Sequence, residues 1–478
     1  MHPRVRGDSF PVYTARVAQE EEQPLSMSNT SVQAGKTPQL RRALGLWDLI
    51  LYGLIVIQPT APMPVYGVMT MRAHGHAVTI VLIAMVAMLF TAISYGRMAR
   101  IYPSAGSAFT YVGQELHPVL GYITGWSMAM DYMLNPLICT ILCSKFALNF
   151  IPSIPYVAWV FIFVLFFTFL NLHGIKTSAR INTTLAAAMS VVIVIFLAAA
   201  ARYVGLIPHE GAGFFTRPFY DPHTYSTGAV LGGTSLAVLT YIGFDGISTL
   251  SEEAVNPRRN ILLATVLVCV ITGALASVEV YAAQLVWPAS TPFPDVDTAF
   301  VYVARRAAGP WLFSLINITL LVATIGSGAG AQLGAARILY GMGRSNAIPR
   351  RFFGAIEPTR QIPRNNVLFI SVIALIGAMT LSFERGVELL NFGALLAFMG
   401  VNAAAFHHYF VRERKRTFYN FLMPTAGFLI CLLLWWSLSW HAKFLGIVWM
   451  VVGIAYGAYN TRGFKNELVN FEVPPDHG

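Results

Sequence analysis

The 478-residue chain is predicted to be an all-α polytopic membrane protein with twelve transmembrane helices, on three observations. Charged residues make up only 11% of the chain, against about 25% in soluble proteins. Apolar residues make up 56%, and they occur in long runs. A membrane helix needs about 20 apolar residues, so a chain of this length has room for roughly twelve spans and their connections. This composition excludes a disordered chain and a nucleic-acid coat, and it argues against a soluble enzyme.

The predicted spans are apolar runs bounded by proline, glycine or charged residues. In chain order, spans one to twelve cover residues 46–70, 78–100, 119–149, 155–172, 180–204, 226–251, 260–287, 310–340, 366–383, 387–410, 420–438 and 443–460. The polar residues 1–40 are expected to form a disordered cytoplasmic tail, with Met27 as an alternative start. Residues 41–462 then form one twelve-helix domain, and residues 463–478 form a second cytoplasmic tail.

The loops predict the orientation of the chain. With the N-terminus in the cytoplasm, the inner segments hold about three times as many Lys and Arg as the outer loops. Both termini are therefore expected to be cytoplasmic, in a multi-pass protein of the cell (inner) membrane. The same loops account for the net charge of +10, so no nucleic-acid partner is predicted.

Spans one and six are predicted to be discontinuous. Three prolines fall within residues 59–64, and each lacks the amide hydrogen that a continuous helix needs. In span six, Gly243 and Gly246 flank Asp245 at mid-depth. Backbone freed by such breaks has to face protein or a water-filled cavity, because lipid offers it no hydrogen bonds.

The two interrupted spans are the first members of two five-span halves. These halves are predicted as inverted repeats over about 46–204 and 226–383, with extra helices over about 387–460. A matched pair of interrupted spans is the best sequence indication of a transport site between inverted repeats. The alternative is that the prolines and glycines only kink packed helices.

Candidate substrate-binding residues lie beside the breaks, together with one acid in span three. They are Gln58, Thr60, Tyr66, Asp131, Tyr241, Gly243, Phe244 and Asp245. A charge at mid-membrane costs about 2.5–3.5 kcal/mol, so each aspartate needs a role: Asp131 is predicted to bind a cation, and Asp245 to bind a substrate amine or couple transport. For Asp245 the alternative is to cap exposed amides of the break. The aromatic rings would supply cation–π contacts, with core packing as the alternative.

The candidate proton-coupling residues are Glu279 and Asp245. Glu279 lies within apolar span seven, where burial disfavours its charged form and lets it hold a proton. Its alternative is a hydrogen-bonded helix contact. Lys145, near the outer end of span three, is expected to extend its ammonium to the membrane surface.

Four charged residues at the inner ends of spans are candidate gating residues. They are Asp48, Glu252, Glu253 and Arg337. Arg337 is a candidate partner for Asp48, which is alternatively a plain acid of a helix N-terminus. The two glutamates stand beside Arg258 and Arg259, in a sequence typical of a structural or gating ion-pair cluster.

Several segments resemble the amino acid–polyamine–organocation superfamily of secondary transporters. They are Tyr95-Gly96-Arg97, Tyr102–Tyr111, Gly125-Trp126, Gly243–Arg259 and Ala336–Arg344 with Ile348-Pro349. Within that superfamily, Asp131-Tyr132, Lys145, Leu390–Leu395 and Leu422-Met423-Pro424 are similar to bacterial putrescine importers. The resemblance implies a five-plus-five inverted-repeat fold with two added C-terminal spans.

Two positions depart from the pattern of the superfamily. Amino-acid-selective members usually have a glycine-rich break in span one, whose amides hold the substrate carboxylate, whereas this chain has Gln58-Pro59-Thr60-Ala61-Pro62. Many members also place a coupling lysine in span five, where this chain has Met189. The first departure argues against binding of an α-carboxylate, and the second removes the usual coupling residue.

The sequence therefore predicts a secondary transporter that imports a small organic cation, with putrescine-like diamines first, or an amino acid, by alternating access and with a proton as the coupling ion. The rival is a general amino-acid permease or exchanger of the same fold. A membrane sensor would need an appended soluble domain, and the tails are short. No motif of an enzyme is present, and no cofactor is predicted. No metal site is predicted either, because Cys139 and Cys143 share a helix face without a histidine or a third cysteine.

Overall fold

The computed structural model describes residues 43–464, except for 104–106, 174–178, 209–210, 212 and 345–346. The predicted tails 1–40 and 463–478 thus lie outside the described residues, apart from residues 463 and 464. The helices are α1 (Leu46–Ile57), α2 (Pro62–Arg72), α3 (Ala77–Ile101), α4 (Ser107–Glu115), α5 (Pro118–Phe150), α6 (Tyr156–Leu172), α7 (Ala179–Leu206), α8 (Gly213–Thr216), α9 (Thr227–Ala237), α10 (Pro257–Val286), α11 (Ala299–Ala308), α12 (Pro310–Arg344), α13 (Arg350–Phe353), α14 (Arg364–Thr380), α15 (Phe383–Phe406), α16 (Phe418–Trp436) and α17 (Trp440–Asn460).

Nine helical stretches among the described residues are long and apolar enough to cross a membrane. The pair α1 and α2, bent by 57° at their junction, makes a tenth if it is counted as one span. Two shorter apolar helices, α6 and α14, coincide with predicted spans four and nine. Residues 43–464, with the gaps given above, confirm an all-helical fold with many candidate spans. Twelve membrane crossings and the inverted repeats stay predictions.

The predicted break of span one is observed between α1 and α2. Gln58 ends α1 with φ of 71°, in the left-handed region. Two turns follow: the Ala61 amide donates to the Gln58 carbonyl at 3.1 Å, and the Met63 amide donates to the Thr60 carbonyl at 3.0 Å. Pro62 then starts α2, a position where a missing amide hydrogen costs no helical hydrogen bond.

The predicted break of span six is observed as well. Helix α9 ends at Ala237 and is followed by two 3₁₀ segments, Val238–Tyr241 and Phe244–Leu250. Gly243 separates them with φ of 123°, a conformation that other residues adopt only with strain. A Cβ at this glycine would lie 3.0 Å from Val56 Cγ1, so the second break packs directly against the end of α1.

The long helices α3 and α10 pack against both breaks. Helix α10 runs along α3 and also contacts α1, while α5 contacts α12, α14 and α15. Pro136 lies inside α5, where it lacks the amide that would bond the carbonyl of Tyr132 one turn earlier. All four cysteines are buried and free.

Four helices of the connections were not predicted. Helix α4 lies between spans two and three, the short α8 between spans five and six, α11 between spans seven and eight, and the short α13 between spans eight and nine. Just before α11, Asp295 and Asp297 pair with the Lys145 ammonium at 3.2 and 3.4 Å. From the sequence, the Lys145 ammonium was expected to extend alone to the membrane surface. In the structure it instead ties α5 to this connection.

Candidate functional site

A cavity of about 570 Å³ lies between the two breaks. Gln58 and Pro59 from the first break line it, together with Gly243 and Asp245 from the second. The facing sides of α5, α7 and α12 complete its wall. The Gln58 side-chain amide fixes one corner by donating to the Ala323 carbonyl of α12 at 3.0 Å.

The cavity extends from the breaks toward one end of the bundle only. Tyr52 of α1, Asn182 near the start of α7 and Arg337 near the end of α12 line its far part. Among the described residues that line it, none belongs to α2 or α9, the half-helices on the other side of the breaks. The structure thus has access to the breaks from the end where α1 begins.

Small residues of α12 provide the space. Gly326, Gly330 and Gly334 follow one another at intervals of four residues, so they share one face of the helix, and all three line the cavity. A Cβ at Gly326 or Gly330 would meet no atom within 4 Å, and one at Gly334 would make only an ordinary contact with the Tyr132 ring.

Gly330→Leu is expected to fill the cavity. The added side chain enters open space, so the fold tolerates it, while uptake of substrate falls by at least about tenfold, or roughly 1.4 kcal/mol. Gly205→Leu is the control, because this glycine of α7 also meets nothing within 4 Å but does not line the cavity. Uptake into proteoliposomes and the melting temperature measure the two effects. Equal uptake by both variants would contradict the placement of the site.

The two candidate acids meet in this cavity. Asp131 and Asp245 are 6% and 5% exposed, and both line its wall. Among the described residues, every ion pair involves other acids, so neither aspartate has a basic partner. Asn135 lies one helical turn after Asp131 and lines the cavity too. The arrangement offers two carboxylates to a positively charged ligand.

Few backbone amides at the breaks are free to bind an anion. In the first break, the Gln58, Ala61 and Met63 amides donate to carbonyls of the chain, and prolines supply none. In the second, the Gly243 amide donates to Asp245 Oδ1 at 3.2 Å. The Asp245 carboxylate therefore already accepts the hydrogen bond that this amide would otherwise donate to a substrate carboxylate.

The aromatic candidates lie outside the cavity in this conformation. Tyr66 is fully buried with its ring edge-on to Phe293 and Phe300, and the Tyr241 hydroxyl donates to the Val81 carbonyl at 2.8 Å. The Phe244 ring packs edge-on to Tyr95 and tilted against Phe398. Core packing, the alternative weighed for these residues, is what the structure shows.

Thr60 and Met189 form a contact beside the cavity. The Thr60 hydroxyl is buried and donates to Met189 Sδ at 3.9 Å. Met189 also lines the cavity, whereas Thr60 does not. The position of the usual coupling lysine therefore faces the site but carries an uncharged thioether.

Glu279 lies in α10, away from the cavity. It is 0% exposed, and neither of its carboxyl oxygens has a hydrogen-bond partner among the described residues. The predicted alternative, a hydrogen-bonded helix contact, is therefore absent there. A buried carboxylate without partners is costly, so the neutral acid suits this environment better than the anion.

The contacts of the gating candidates differ from the pairing of Asp48 with Arg337 that the sequence suggested. Asp48 Oδ2 accepts the Gly45 amide at 2.8 Å at the start of α1, and within the described residues it forms no ion pair with Arg337. Arg337 instead is exposed and lines the cavity. The Glu253 carbonyl accepts the amides of Ala43 and Leu44 at 2.9 and 3.0 Å, which joins the chain before α1 to the end of span six. The ion pairs predicted for Glu252 and Glu253 stay a prediction.

The sequence model of the amino acid permease family matches residues 65–467. The chain belongs to this family. This chain is 34% identical over 449 residues to the low-affinity putrescine importer PlaP of Escherichia coli (strain K12). The match covers 91% of this chain and 97% of the relative. The chain is 25% identical over 462 residues to the branched-chain amino acid permease BcaP of Bacillus subtilis (strain 168), covering 89% and 94%. Over 458 residues it is 26% identical to BcaP of Lactococcus lactis subsp. cremoris (strain MG1363), covering 87% and 94%.

The matches confirm the resemblance to the amino acid–polyamine–organocation superfamily. Together with the apolar helices, they support a multi-pass membrane protein that transports a small molecule. The relatives carry the names of importers and permeases, so they give no support to an enzyme.

Sequence reasoning missed several residues that line the cavity. Tyr52, Tyr132, Asn135 and Asn182 were not among the candidates. For Asn135 a signal was available, because a residue four positions after Asp131 shares its helix face. The other three are placed by tertiary packing, which helical spacing alone does not reveal.

Proposed function

We propose that the protein imports a small organic cation, with putrescine-like diamines first. The observation that carries the proposal is the pair Asp131 and Asp245, both nearly buried, both lining one cavity and both without a basic partner among the described residues. The 34% identity to a putrescine importer supports the same substrate class.

Electrostatics favour a substrate with two ammonium groups. Two carboxylates removed from water repel each other and are poorly solvated, and a bound dication relieves both costs. A close opposite charge in a partly desolvated site contributes several kcal/mol before desolvation is subtracted. The cavity of about 570 Å³ leaves ample room for a four-carbon diamine with some of its water.

A general amino-acid permease or exchanger remains the second candidate, and one observation favours it. Arg337 lines the same cavity and offers a guanidinium that could pair with a substrate carboxylate. The branched-chain amino acid permeases among the relatives agree with that function. Against it stands the shortage of free amides at both breaks.

Putrescine is expected to compete for the site at least about tenfold better than any zwitterionic amino acid, a difference of roughly 1.4 kcal/mol. The two aspartates attract an ammonium and repel a carboxylate, and the prolines of the first break supply no amides. Competition for labelled uptake into proteoliposomes measures this, with cadaverine, alanine and leucine in the same panel. Better competition by neutral amino acids would favour the general amino-acid permease or exchanger as the function instead.

The proposed cycle is alternating access between five-plus-five inverted repeats. The described conformation then faces the cytoplasm, because the cavity extends toward the end where α1 begins, and the distribution of Lys and Arg places that end inside. Tyr66, Phe293 and Phe300 pack together on the far side, in the half of the bundle that would open to the exterior.

Proton coupling is proposed to use Glu279 and Asp245. Met189 removes the coupling lysine found in many relatives of the superfamily, so another group has to carry the proton. Glu279 is buried without hydrogen-bond partners among the described residues, and it does not line the cavity in this conformation. A residue that is accessible in only one of two conformations is suited to carry a proton between the two sides.

A further inference from the structure

A cluster of ionisable side chains outside the substrate site surrounds Glu115, the last residue of α4. Its side chain is fully buried. Oε2 accepts the Tyr102 hydroxyl at 2.8 Å, His408 Nδ1 at 2.8 Å and Arg412 Nη1 at 3.3 Å, while Oε1 accepts His407 Nδ1 at 3.1 Å. One carboxylate thus joins the end of α3 and α4 to the end of span ten.

The backbone of span ten explains how two successive histidines reach one carboxylate. Neighbouring residues of an α-helix do not face the same point. After α15, however, residues His407–Arg412 form a π-helical turn, a wider and uncommon geometry that is frequent at functional sites. This turn brings His407 and His408 to the two oxygens of Glu115, one each.

The other end of α4 holds the half-helix that carries Asp245. The hydroxyls of Ser107 and Ser248 are hydrogen-bonded at 2.8 Å, and the Ser248 hydroxyl donates to the Asp245 carbonyl at 2.6 Å. Helix α4 has nine residues, about 13 Å in length. It therefore connects the Glu115 cluster to the backbone of the proposed substrate site.

The charges in the cluster depend on pH. Burial raises the pKa of the Glu115 carboxyl, but the hydrogen bonds from His408 and Tyr102 outweigh burial and hold its pKa below its ordinary value. The carboxylate only accepts hydrogen bonds, so each histidine presents a protonated Nδ1 to it. A further proton on either imidazole adds a positive charge 3.1 or 2.8 Å from the anion, which strengthens the attachment between the two elements.

The other charged groups around the histidines do not reverse this attraction. His408 Nε2 also lies 3.7 Å from Glu413 Oε1, and Lys415 pairs with Glu413 at 3.1 Å. Arg412 is largely exposed, and its charge is screened by solvent. Arg97 stands on the adjacent Tyr409 ring, 3.7 Å from its centroid. Of the charged groups that the structure describes, the Glu115 carboxylate lies nearest to both imidazoles.

We propose that Glu115, His407 and His408 form a pH-responsive positioning site that adjusts the rate of transport. Protonation of the histidines tightens the attachment of α4 to span ten. Through Ser107 and Ser248, α4 then holds the Asp245 half-helix in the described conformation and slows its exchange with the other one. The site rests on the transport function proposed above, but it is separate from the coupling proton and from substrate binding.

A test without substrate uses hydrogen–deuterium exchange of the α4 amides, which reports local opening. The double variant His407→Asn/His408→Asn keeps a donor near each Nδ1 position but cannot titrate. The ratio of variant to wild-type exchange rates removes the intrinsic effect of pH. This ratio of exchange rates, variant over wild type, should be at least about threefold larger at pH 5.5 than at pH 7.5. An equal ratio at both pH values would overturn the proposal even if putrescine proves not to be transported.

A second test measures putrescine counterflow in proteoliposomes with equal pH on both sides. Wild-type counterflow should fall, relative to the double variant, by about threefold between pH 7.5 and 5.5. Glu115→Gln should show no such relative fall. His173→Asn is the matched control, because this exposed histidine is hydrogen-bonded through Nδ1 to the Phe169 carbonyl and, among the residues that the structure describes, to no carboxylate. A double variant that follows the wild-type profile, or that has lost counterflow at pH 7.5, would contradict a pH-responsive role.

Discussion

Asp245→Asn is expected to abolish accumulation of putrescine while the protein stays folded and inserted. The substitution keeps an oxygen that can accept the Gly243 amide, so the break retains its hydrogen bond. It removes one of the two charges that line the cavity without a basic partner among the described residues. Loss of a close charge pair in a partly desolvated site predicts a fall of at least about 100-fold, or roughly 2.7 kcal/mol.

The matched control for that variant is Asp221→Asn. Asp221 Oδ1 also accepts an amide two residues away, that of His223 at 3.0 Å, but Asp221 does not line the candidate site. Uptake into proteoliposomes is measured for both variants, with membrane insertion checked in parallel. If Asp245→Asn takes up putrescine with wild-type kinetics, this residue does not belong to the substrate site.

Glu279→Gln is expected to abolish accumulation driven by a pH gradient and to leave substrate counterflow largely intact. Counterflow exchanges loaded carriers, so it does not require the empty carrier to release its proton and return. The amide of glutamine has nearly the same shape and cannot titrate, and it enters a site where neither carboxyl oxygen has a hydrogen-bond partner among the described residues. The ratio of uphill uptake to counterflow measures the effect.

Glu388→Gln is the control for that ratio. Glu388 is also a buried glutamate, but both of its carboxyl oxygens have partners. Oε1 accepts a hydrogen bond from the Ser439 amide at 3.1 Å, and Oε2 accepts one from the Ser439 hydroxyl. Its substitution should lower stability and leave the ratio unchanged. If uphill uptake and counterflow fall together in Glu279→Gln, this residue is structural or binds substrate.

The sequence was most informative where local chemistry dictates the backbone. The prolines of residues 59–64 and the glycines around Asp245 cannot continue a membrane helix, and both breaks are observed there. Each predicted span also begins and ends within about four residues of the observed helices, because long apolar runs leave little choice. The helix positions of a membrane protein of this class can therefore be predicted well from its sequence.

Side-chain environments were harder to predict, because they depend on which helices meet. Tyr66 and Tyr241 stand next to the breaks in sequence, yet neighbouring helices enclose them outside the cavity. The cluster at Glu115 joins residues nearly 300 positions apart through a π-helical turn. Helical periodicity assumes a regular α-helix and could not place His407 and His408 on one carboxylate.

Equilibrium binding of labelled putrescine to the purified protein tests most directly whether the cavity recognises a dication through its two aspartates. Saturable binding is predicted for the wild type, displaced by cadaverine and not by leucine. The double variant Asp131→Asn/Asp245→Asn is predicted to lose it, whereas the His407→Asn/His408→Asn variant keeps it. Binding of leucine in place of putrescine, or putrescine binding that survives neutralisation of both aspartates, would contradict a cationic substrate held by these carboxylates.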